Sequence, residues 1–324
     1  MPPAAAPLSP MIEAVAIGRN EGARLQACLM SLKAQVGRVI YVDSGSTDGS
    51  VALAQALGAE VVALDMTLPF TAARARNAGL ARVSAGAELV QFVDGDCELQ
   101  PGWVAAALAA FAAHPAAVVV CGRRRERHPG ASLWNRLADR EWDTPVGRAK
   151  ACGGDALMRV AAVRAQGGYR EDLIAGEEPD LCLRLRRAGG EVWRINAEMT
   201  LHDAAMTRIS QWARRTVRAG HAFAEGAALH GAPPERHWVA ETRRALLWGA
   251  VLPLVALAGA LFWHPAALLL LLAWPLQALR LARRWGDPQA ALFSVIGKLP
   301  EAWGVLSYWA GRLRGRRRGL IEYK

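Results

Sequence analysis

Leu89-Val-Gln-Phe-Val-Asp94-Gly-Asp96-Cys-Glu-Leu-Gln-Pro-Gly-Trp103 runs from an apolar stretch straight into two carboxylates separated by one glycine. The apolar part, Leu89–Val93, has the length and composition of a buried strand, and the Asp-Gly pair after it suits a tight turn. On an extended backbone, residues two apart point to one side. Asp94 and Asp96 would then repel each other unless a positive charge lay between them. Two hard oxygen ligands at a strand end suit a divalent cation, which commonly bridges to phosphate oxygens. A plain turn explains the pair as well, so the surrounding chain has to decide.

Working outward, short runs rich in Val and Ile recur at Ile12–Ile17, Arg38–Val42, Glu60–Leu64, Ala117–Cys121 and Val192–Ile195. Each is bounded by Gly, Asp or Ser and predicts a strand. Leu25, Cys28, Leu29 and Leu32 keep the spacing of one buried helix face. Ala72–Ala85 and Val104–Ala113 are Ala-rich and helix-prone, and Gly176-Glu-Glu-Pro-Asp-Leu opens another helix, with Pro179 in its first turn. Strands alternating with helices predict an α/β fold, a mostly parallel sheet with helices on both faces. Ligands of such sheets bind beyond the carboxyl ends of the strands, where Asp43 and Asp94 both fall. The stretch Arg123–Tyr169 is less regular and predicts loops.

The 324 residues suffice for one large domain or two ordinary ones, and 52% of them are hydrophobic. The net charge of +10 is uneven: His264–Lys324 holds ten Lys/Arg and three Asp/Glu, giving 10 − 3 = +7. The five cysteines, 28, 97, 121, 152 and 182, are scattered without a Cys-x-x-Cys pair, which disfavours a disulfide framework or a zinc ribbon. Free thiols suit a reducing compartment. Residues 1–10, with no basic residue and no long apolar core, are expected to be a flexible lead-in and not a signal peptide.

After Arg244 the character changes. Ala245–Trp263 is 19 residues without a charge, and Ala266–Leu279 is a further 14 beyond a Trp-His-Pro break. The first has membrane-spanning length. Arg243 and Arg244 precede it, and Arg280, Arg283 and Arg284 follow the second. That pattern puts both outer ends on the cytoplasmic side. Residues 243–285 therefore predict a membrane hairpin anchoring a catalytic domain at 11–242. In 286–324, Leu292, Val295, Ile296, Leu299, Trp303, Leu306 and Trp309 share helical spacing, predicting an amphipathic helix at the interface and a basic tail. The aromatics nearby fit membrane lipids better than nucleic acid.

Five stretches then stand in a telling order: Ile17-Gly-Arg-Asn-Glu-Gly22, Val42-Asp-Ser-Gly-Ser-Thr-Asp-Gly-Ser50, Ala73-Arg-Ala-Arg-Asn-Ala-Gly79, Phe92–Trp103 and Gly176-Glu-Glu-Pro-Asp-Leu-Cys-Leu-Arg-Leu185. Together they resemble the inverting family 2 glycosyltransferases, which have the Rossmann-like GT-A fold, over roughly Ile12–His202. That resemblance implies transfer of a sugar from a nucleotide-sugar to an acceptor hydroxyl, with Mg2+ or Mn2+. It implies that Gly18, Arg19, Glu21, Asp43 and Ser46 hold the nucleoside and that Arg76 supports the nucleotide. Asp94 and Asp96 would be the metal and diphosphate motif, joined at the metal by His202. The family's usual Glu-Asp base motif is here Glu177-Glu178, with Glu178 at the position of the acid that deprotonates the acceptor. Asp155 in Cys-Gly-Gly-Asp-Ala matches a stretch that lines the acceptor pocket. Gln211-Trp-Ala-Arg-Arg215 is similar to the Gln-x-x-Arg-Trp of processive members, which offers Gln211 and Arg214 as acceptor contacts, but Arg215 replaces the terminal Trp.

The resulting expectation is a glycosyltransferase at the inner membrane with a cytoplasmic catalytic domain. Its acceptor would be lipid-linked or a polysaccharide, because the active site is tethered to the bilayer. Two other readings compete. A sugar nucleotidyltransferase would want a Gly-rich, basic phosphate loop after the first strand, and Ile17–Glu21 lacks one. A non-catalytic nucleotide-sugar-binding membrane protein would need Asp96 but not Glu178.

Overall fold

The computed structural model describes residues 10–315. The expected lead-in before residue 10 and the basic tail beyond 315 lie outside the described residues. The apolar runs become Ile12–Gly18 (β1), Arg38–Asp43 (β2), Glu60–Ala63 (β3), Leu89–Asp94 (β4), Cys97–Leu99 (β5), Ala117–Glu126 (β6), Gly147–Arg148 (β7), Ala156–Arg159 (β8) and Glu191–His202 (β9). They form one nine-stranded sheet ordered β3-β2-β1-β4-β8-β6-β9-β5, with β7 paired to β9. Six strands (β1, β2, β3, β4, β6 and β9) point one way. β8 runs against its neighbours β4 and β6, and β5 and β7 run against β9.

The connecting helices are Ala23–Lys33 (α1), Ser50–Ala56 (α2), Ala72–Arg82 (α3), Trp103–Ala113 (α4), Leu133–Trp142 (α5), Val160–Ala165 (α6), Glu177–Arg187 (α7) and Ile209–His230 (α8). On α1 the buried residues are Leu25, Cys28, Leu29 and Leu32, the face given by the spacing. Helix α3 starts where the Thr71 hydroxyl accepts the Arg74 N–H at 3.1 Å, a side-chain cap for an orphan donor. It ends at Arg82, short of the expected Ala85, because Val83 turns extended. β6 and β9 run well past their apolar cores into charged residues. The hydrophobic pattern does not reach that far, so the sequence stops each of them early. Gln91, fully buried in β4, has its side-chain oxygen satisfied by the Trp103 indole N–H at 2.8 Å, as a buried polar group requires.

The chain packs as two units. The first takes the residues up to Asp172 together with Glu177–Ala205; the second takes Leu173–Gly176 and everything from Met206. The expected boundary at 242 therefore moves to about 205, because α8 packs with the C-terminal helices. The cause is in its glycines. A Cβ on Gly220 would lie 2.0 Å from the Glu301 carbonyl oxygen, and one on Gly304 would lie 2.1 Å from that of Val217. The backbones of α8 and the helix Lys298–Leu313 thus meet without side chains between them.

Within the second unit, Val239–Phe262 and Pro265–Trp285 are 24 and 21 residues long, apolar enough to cross a membrane by length and composition. His264 caps the second by accepting the Ala266 N–H at 3.1 Å. Leu254, Leu257, Leu261, Phe262, Trp263 and Leu269 are all exposed. The single amphipathic helix expected over Leu292–Leu313 is two helices, Pro288–Ile296 and Lys298–Leu313, meeting at Gly297. Of the predicted apolar stripe, Val295 is buried while Leu299, Trp303, Leu306 and Trp309 are exposed.

Gly79 tests the packing of α3 on the sheet. A Cβ there would sit 2.3 Å from Val15 Cγ1 in β1. Gly to Ala inside a helix normally gains up to about 1 kcal/mol. Gly79→Ala is expected instead to lose roughly 1–3 kcal/mol to overpacking, read as a lowered urea midpoint. Gly130→Ala, with no atom within 4 Å of the new Cβ, should leave the midpoint near that of the parent.

Candidate active site

Parallel register aligns the functional ends. Gly18 pairs with Asp43, and Ile17 with Asp94, so β1, β2 and β4 deliver their last residues to one edge of the sheet. Asp43 is buried and held on three sides: Oδ2 accepts the N–H groups of Gly45 (3.0 Å) and Ser46 (2.9 Å), and Oδ1 accepts the Tyr41 hydroxyl at 3.0 Å. Ser46 Oγ takes the Asn20 N–H at 2.9 Å, and Asn20 Oδ1 takes the Thr47 N–H at 2.7 Å. The loops after β1 and β2 are therefore laced together. Gly18 lies against Glu21 and Tyr41, a Cβ there falling 3.1 Å from Glu21 Cγ. Glu21 pairs with Arg24 at 2.8 Å, and Arg19 is exposed at the rim.

The two aspartates of the opening stretch have different partners. The Gly95 N–H donates to the Ile17 carbonyl at 2.7 Å and closes the turn between β4 and β5. Asp94 gives one oxygen to Arg76 at 2.7 Å and the other to Arg124 at 3.0 Å. Burial alone would raise its carboxyl, but these two guanidiniums hold it well below the usual carboxylate range. Asp96 instead faces His202, with Oδ2 and Nε2 3.2 Å apart. The pairing of Cys97 with His202 across β5 and β9 sets that meeting. Burial, and then the charge of Arg124, lower the His202 pKa to about 3, so the ring is neutral and keeps a lone pair for a metal. The edge-on ring of Trp142, 4.7 Å away, fixes its plane. Asp96, Cys97 and His202 bring ligand atoms within 4.8 Å of one another. The carboxylate–imidazole pair fits a divalent ion, whereas both oxygens of Asp94 are already spoken for by arginines.

The acid motif lies across Arg76. Its other nitrogen donates to Glu177 Oε1 at 2.7 Å, so one buried guanidinium ties the end of β4 to the first turn of α7. Glu178 is buried and, among the described residues, pairs with no cation. Its Oε1 accepts the Cys152 N–H at 2.7 Å and lies 3.0 and 2.9 Å from the sulfurs of Cys152 and Cys182. Among the described residues, Oε2 accepts no hydrogen bond. Burial pushes the Glu178 carboxyl up, against the pull of the bonds from Cys152.

Asp155, expected to line the acceptor pocket, is buried and turned inward. It accepts the Asp94 N–H at 3.1 Å and the Thr200 hydroxyl at 2.8 Å, and lies 3.3 Å from Arg124 Nε. It positions Asp94 and Arg124. Gln211 and Arg214 lie on α8, in the second unit. Gln211 Oε1 accepts the N–H groups of Thr207 and Arg208 at 2.9 and 3.0 Å, capping its own helix, and Arg214 turns back to the Ser210 carbonyl at 3.4 Å. Sequence reasoning missed Arg124, Glu126 and Cys152. The run Arg123-Arg124-Arg125 was the available signal, since strand alternation must turn one of these arginines against its neighbours. Glu126 accepts the N–H groups of His128 and Ala204 at 3.0 and 2.9 Å, steadying the loop after His202.

The laced loops around Asp43, the Asp96–His202 pair and the adjacent buried Glu178 all lie in the first unit, on a Rossmann-like sheet of the GT-A type. Residues 15–162, a little under half of the chain, match the family described as Glycosyl transferase family 2. That match takes in the aspartate motif and stops before α7 and His202. The Pre-mycofactocin glycosyltransferase of Mycobacterium tuberculosis is 28% identical over 226 residues, 65% of this chain and 46% of its own length. The Succinoglycan biosynthesis protein ExoA of Rhizobium meliloti is 26% identical over 190 residues, 54% of this chain and 57% of its own length. The chain thus spans about half the length of these curated relatives. Among solved structures, the mannosyltransferase PcManGT from Pyrobaculum calidifontis, in complex with GDP-Man and Mn2+, superposes with a TM-score of 0.62 at 21% identity. It covers 90% of this chain and 87% of its own, a likeness of fold.

Arg124→Met should show what holds the site together. It strands Asp155 and half of Asp94 without a counter-charge, and breaking a buried pair from one side costs about 3–5 kcal/mol. The expected result is that loss in urea unfolding. Adding Asp155→Asn to Arg124→Met should recover part of it, because the orphaned charge is then gone.

Proposed function

We propose that this protein is a membrane-bound inverting glycosyltransferase. It moves a sugar from a nucleotide-sugar to a hydroxyl of a lipid-linked or polysaccharide acceptor, with Glu178 as general base. The observation that carries the proposal is the double grip of Arg76, which sets the acid motif of α7 beside the aspartates that end β4. The loops after β1 and β2, with Asp43 fixed in place, bind the nucleoside. Asp96 and His202 would hold Mg2+ or Mn2+, which when bound offsets charge on the departing diphosphate. PcManGT, bound to GDP-Man and Mn2+, supports a nucleotide-sugar and a divalent metal here. ExoA, by its name, supports a polysaccharide product.

The two glutamates divide the work. Glu177 is tied to Arg76 and so is held in place beside the end of β4. Among the described residues Glu178 has no cationic partner, and its raised affinity for a proton suits a base. Oε2 takes the proton from the attacking hydroxyl while Oε1 stays anchored to Cys152. Attack opposite the leaving group inverts the anomeric centre without a covalent intermediate. The two long apolar helices, and the exposed stripe of Leu299, Trp303, Leu306 and Trp309, supply a lipid-facing surface.

Glu178→Gln is expected to lower kcat by about 10²–10⁴-fold, the usual worth of a positioned base, with donor affinity retained. Asp96→Ala should lose Mn2+-dependent donor binding, followed by calorimetry. Release of nucleoside diphosphate across a panel of donors, in lipid with Mn2+, is the direct assay; silence with every donor would end the proposal. Because a base must be ionised and burial raises the Glu178 pKa, kcat should fall on acidification at a pH above the ordinary glutamate range of about 4.3. The full chain should stay with membranes through an alkaline wash and leave only with detergent. Release by the wash alone would count against the anchor.

A further inference from the structure

The thiols around Glu178 have no part in the transfer step. Cys182 stands one turn after Glu178 on α7, at the i+4 position that shares its face. Cys152 comes from the loop between β7 and β8. The two sulfurs are 3.6 Å apart, and Glu178 Oε1 is 3.0 Å from one and 2.9 Å from the other. We propose that Cys152 Sγ, Cys182 Sγ and Glu178 form a site for a thiophilic divalent ion of the zinc class, whose binding takes Glu178 out of use as the base. The inhibitory half of this proposal rests on the reading of Glu178 given above; the binding half does not.

The geometry suits a metal better than a covalent link. Tetrahedral zinc, with Zn–S about 2.3 Å and Zn–O about 2.0 Å, separates two sulfurs by about 3.8 Å and a sulfur from an oxygen by about 3.5 Å. The thiols already stand at nearly that spacing. The carboxylate has to retreat only about half an ångström, or present Oε2 instead. A disulfide would need the sulfurs to close to about 2.05 Å. Cys152 is only half-buried and gives the ion a way in, leaving the fourth position for water, as in zinc sites that stay open. Two thiolates also set the preference: soft ligands select zinc over the Mg2+ or Mn2+ suited to Asp96 and His202. On binding, each S–H bond is exchanged for an S–metal bond, and two protons pass to solvent. No electron moves.

Cobalt(II) titration of the full chain in detergent, reduced with a phosphine, tests the site directly, because tetrahedral thiolate-bound cobalt absorbs strongly in the visible. One equivalent should bind with a thiolate band, and one equivalent of Zn2+ should bleach it. The band should vanish in Cys152→Ser and Cys182→Ser and persist in Cys97→Ser and Asp96→Ala. Melting curves must match the parent, and the half-buried Cys152→Ser decides the matter if Cys182→Ser does not fold. No thiolate band in the parent, or a band that survives Cys152→Ser, overturns the site. With saturating Mn2+, added Zn2+ should stop nucleoside diphosphate release by the parent. Loss of a ligand should leave Cys152→Ser largely insensitive to the Zn2+ concentration that stops the parent. A cobalt band without zinc inhibition of an active enzyme overturns the inhibitory role. An enzyme inert even without zinc overturns the transfer reading, while the cobalt band still decides the site.

Discussion

A single buried guanidinium ties the end of β4 to the start of α7. Arg76 is 3% exposed and donates to Asp94 on one side and Glu177 on the other. Desolvating a cation costs several kcal/mol, which only close counter-charges offset. The two carboxylates are therefore fixed to it as firmly as it is to them. A strand end and a helix start, about eighty residues apart in sequence, are locked in position by this arrangement. Arg124 repeats the device one layer over, between Asp94 and Asp155.

This locking separates the tasks of two neighbouring aspartates. Asp94 turns toward cations supplied by the protein and stays ionised because of them. Asp96, one glycine further on, points instead to the imidazole of His202. The repulsion that the spacing of the two acids suggests is relieved by arginine on one side and by a change of direction at the Gly95 turn. The turn and the site are the same structure.

Much of this was legible in the residues. The strand ends at Asp43 and Asp94, the buried face of α1, the two long apolar helices and the pairing of Asp96 with His202 all follow from local patterns or from the family resemblance. What stayed hidden depends on contacts between distant segments. Nothing in the four residues of β8 marks a strand inserted against its neighbours. The inward turn of Asp155 depends on Arg124 and Thr200, which arrive from β6 and β9. The unit boundary near 205 depends on glycines at 220 and 304, whose spacing has no meaning until the helices carrying them are paired. In α7 the likeness of Glu177 and Glu178 in sequence conceals that one meets a guanidinium and the other two thiols.

Strand β9 carries a further implication. On one side it follows β6 through three register shifts, and on the other it meets β5 with Cys97 opposite His202. Side chains alternate along a strand, so a slip of one residue would swing the imidazole to the opposite face of the sheet. The irregularities are all spent on the β6 seam, leaving the β5 seam in perfect step. A single residue inserted between Thr200 and His202 would therefore turn the imidazole away from Asp96.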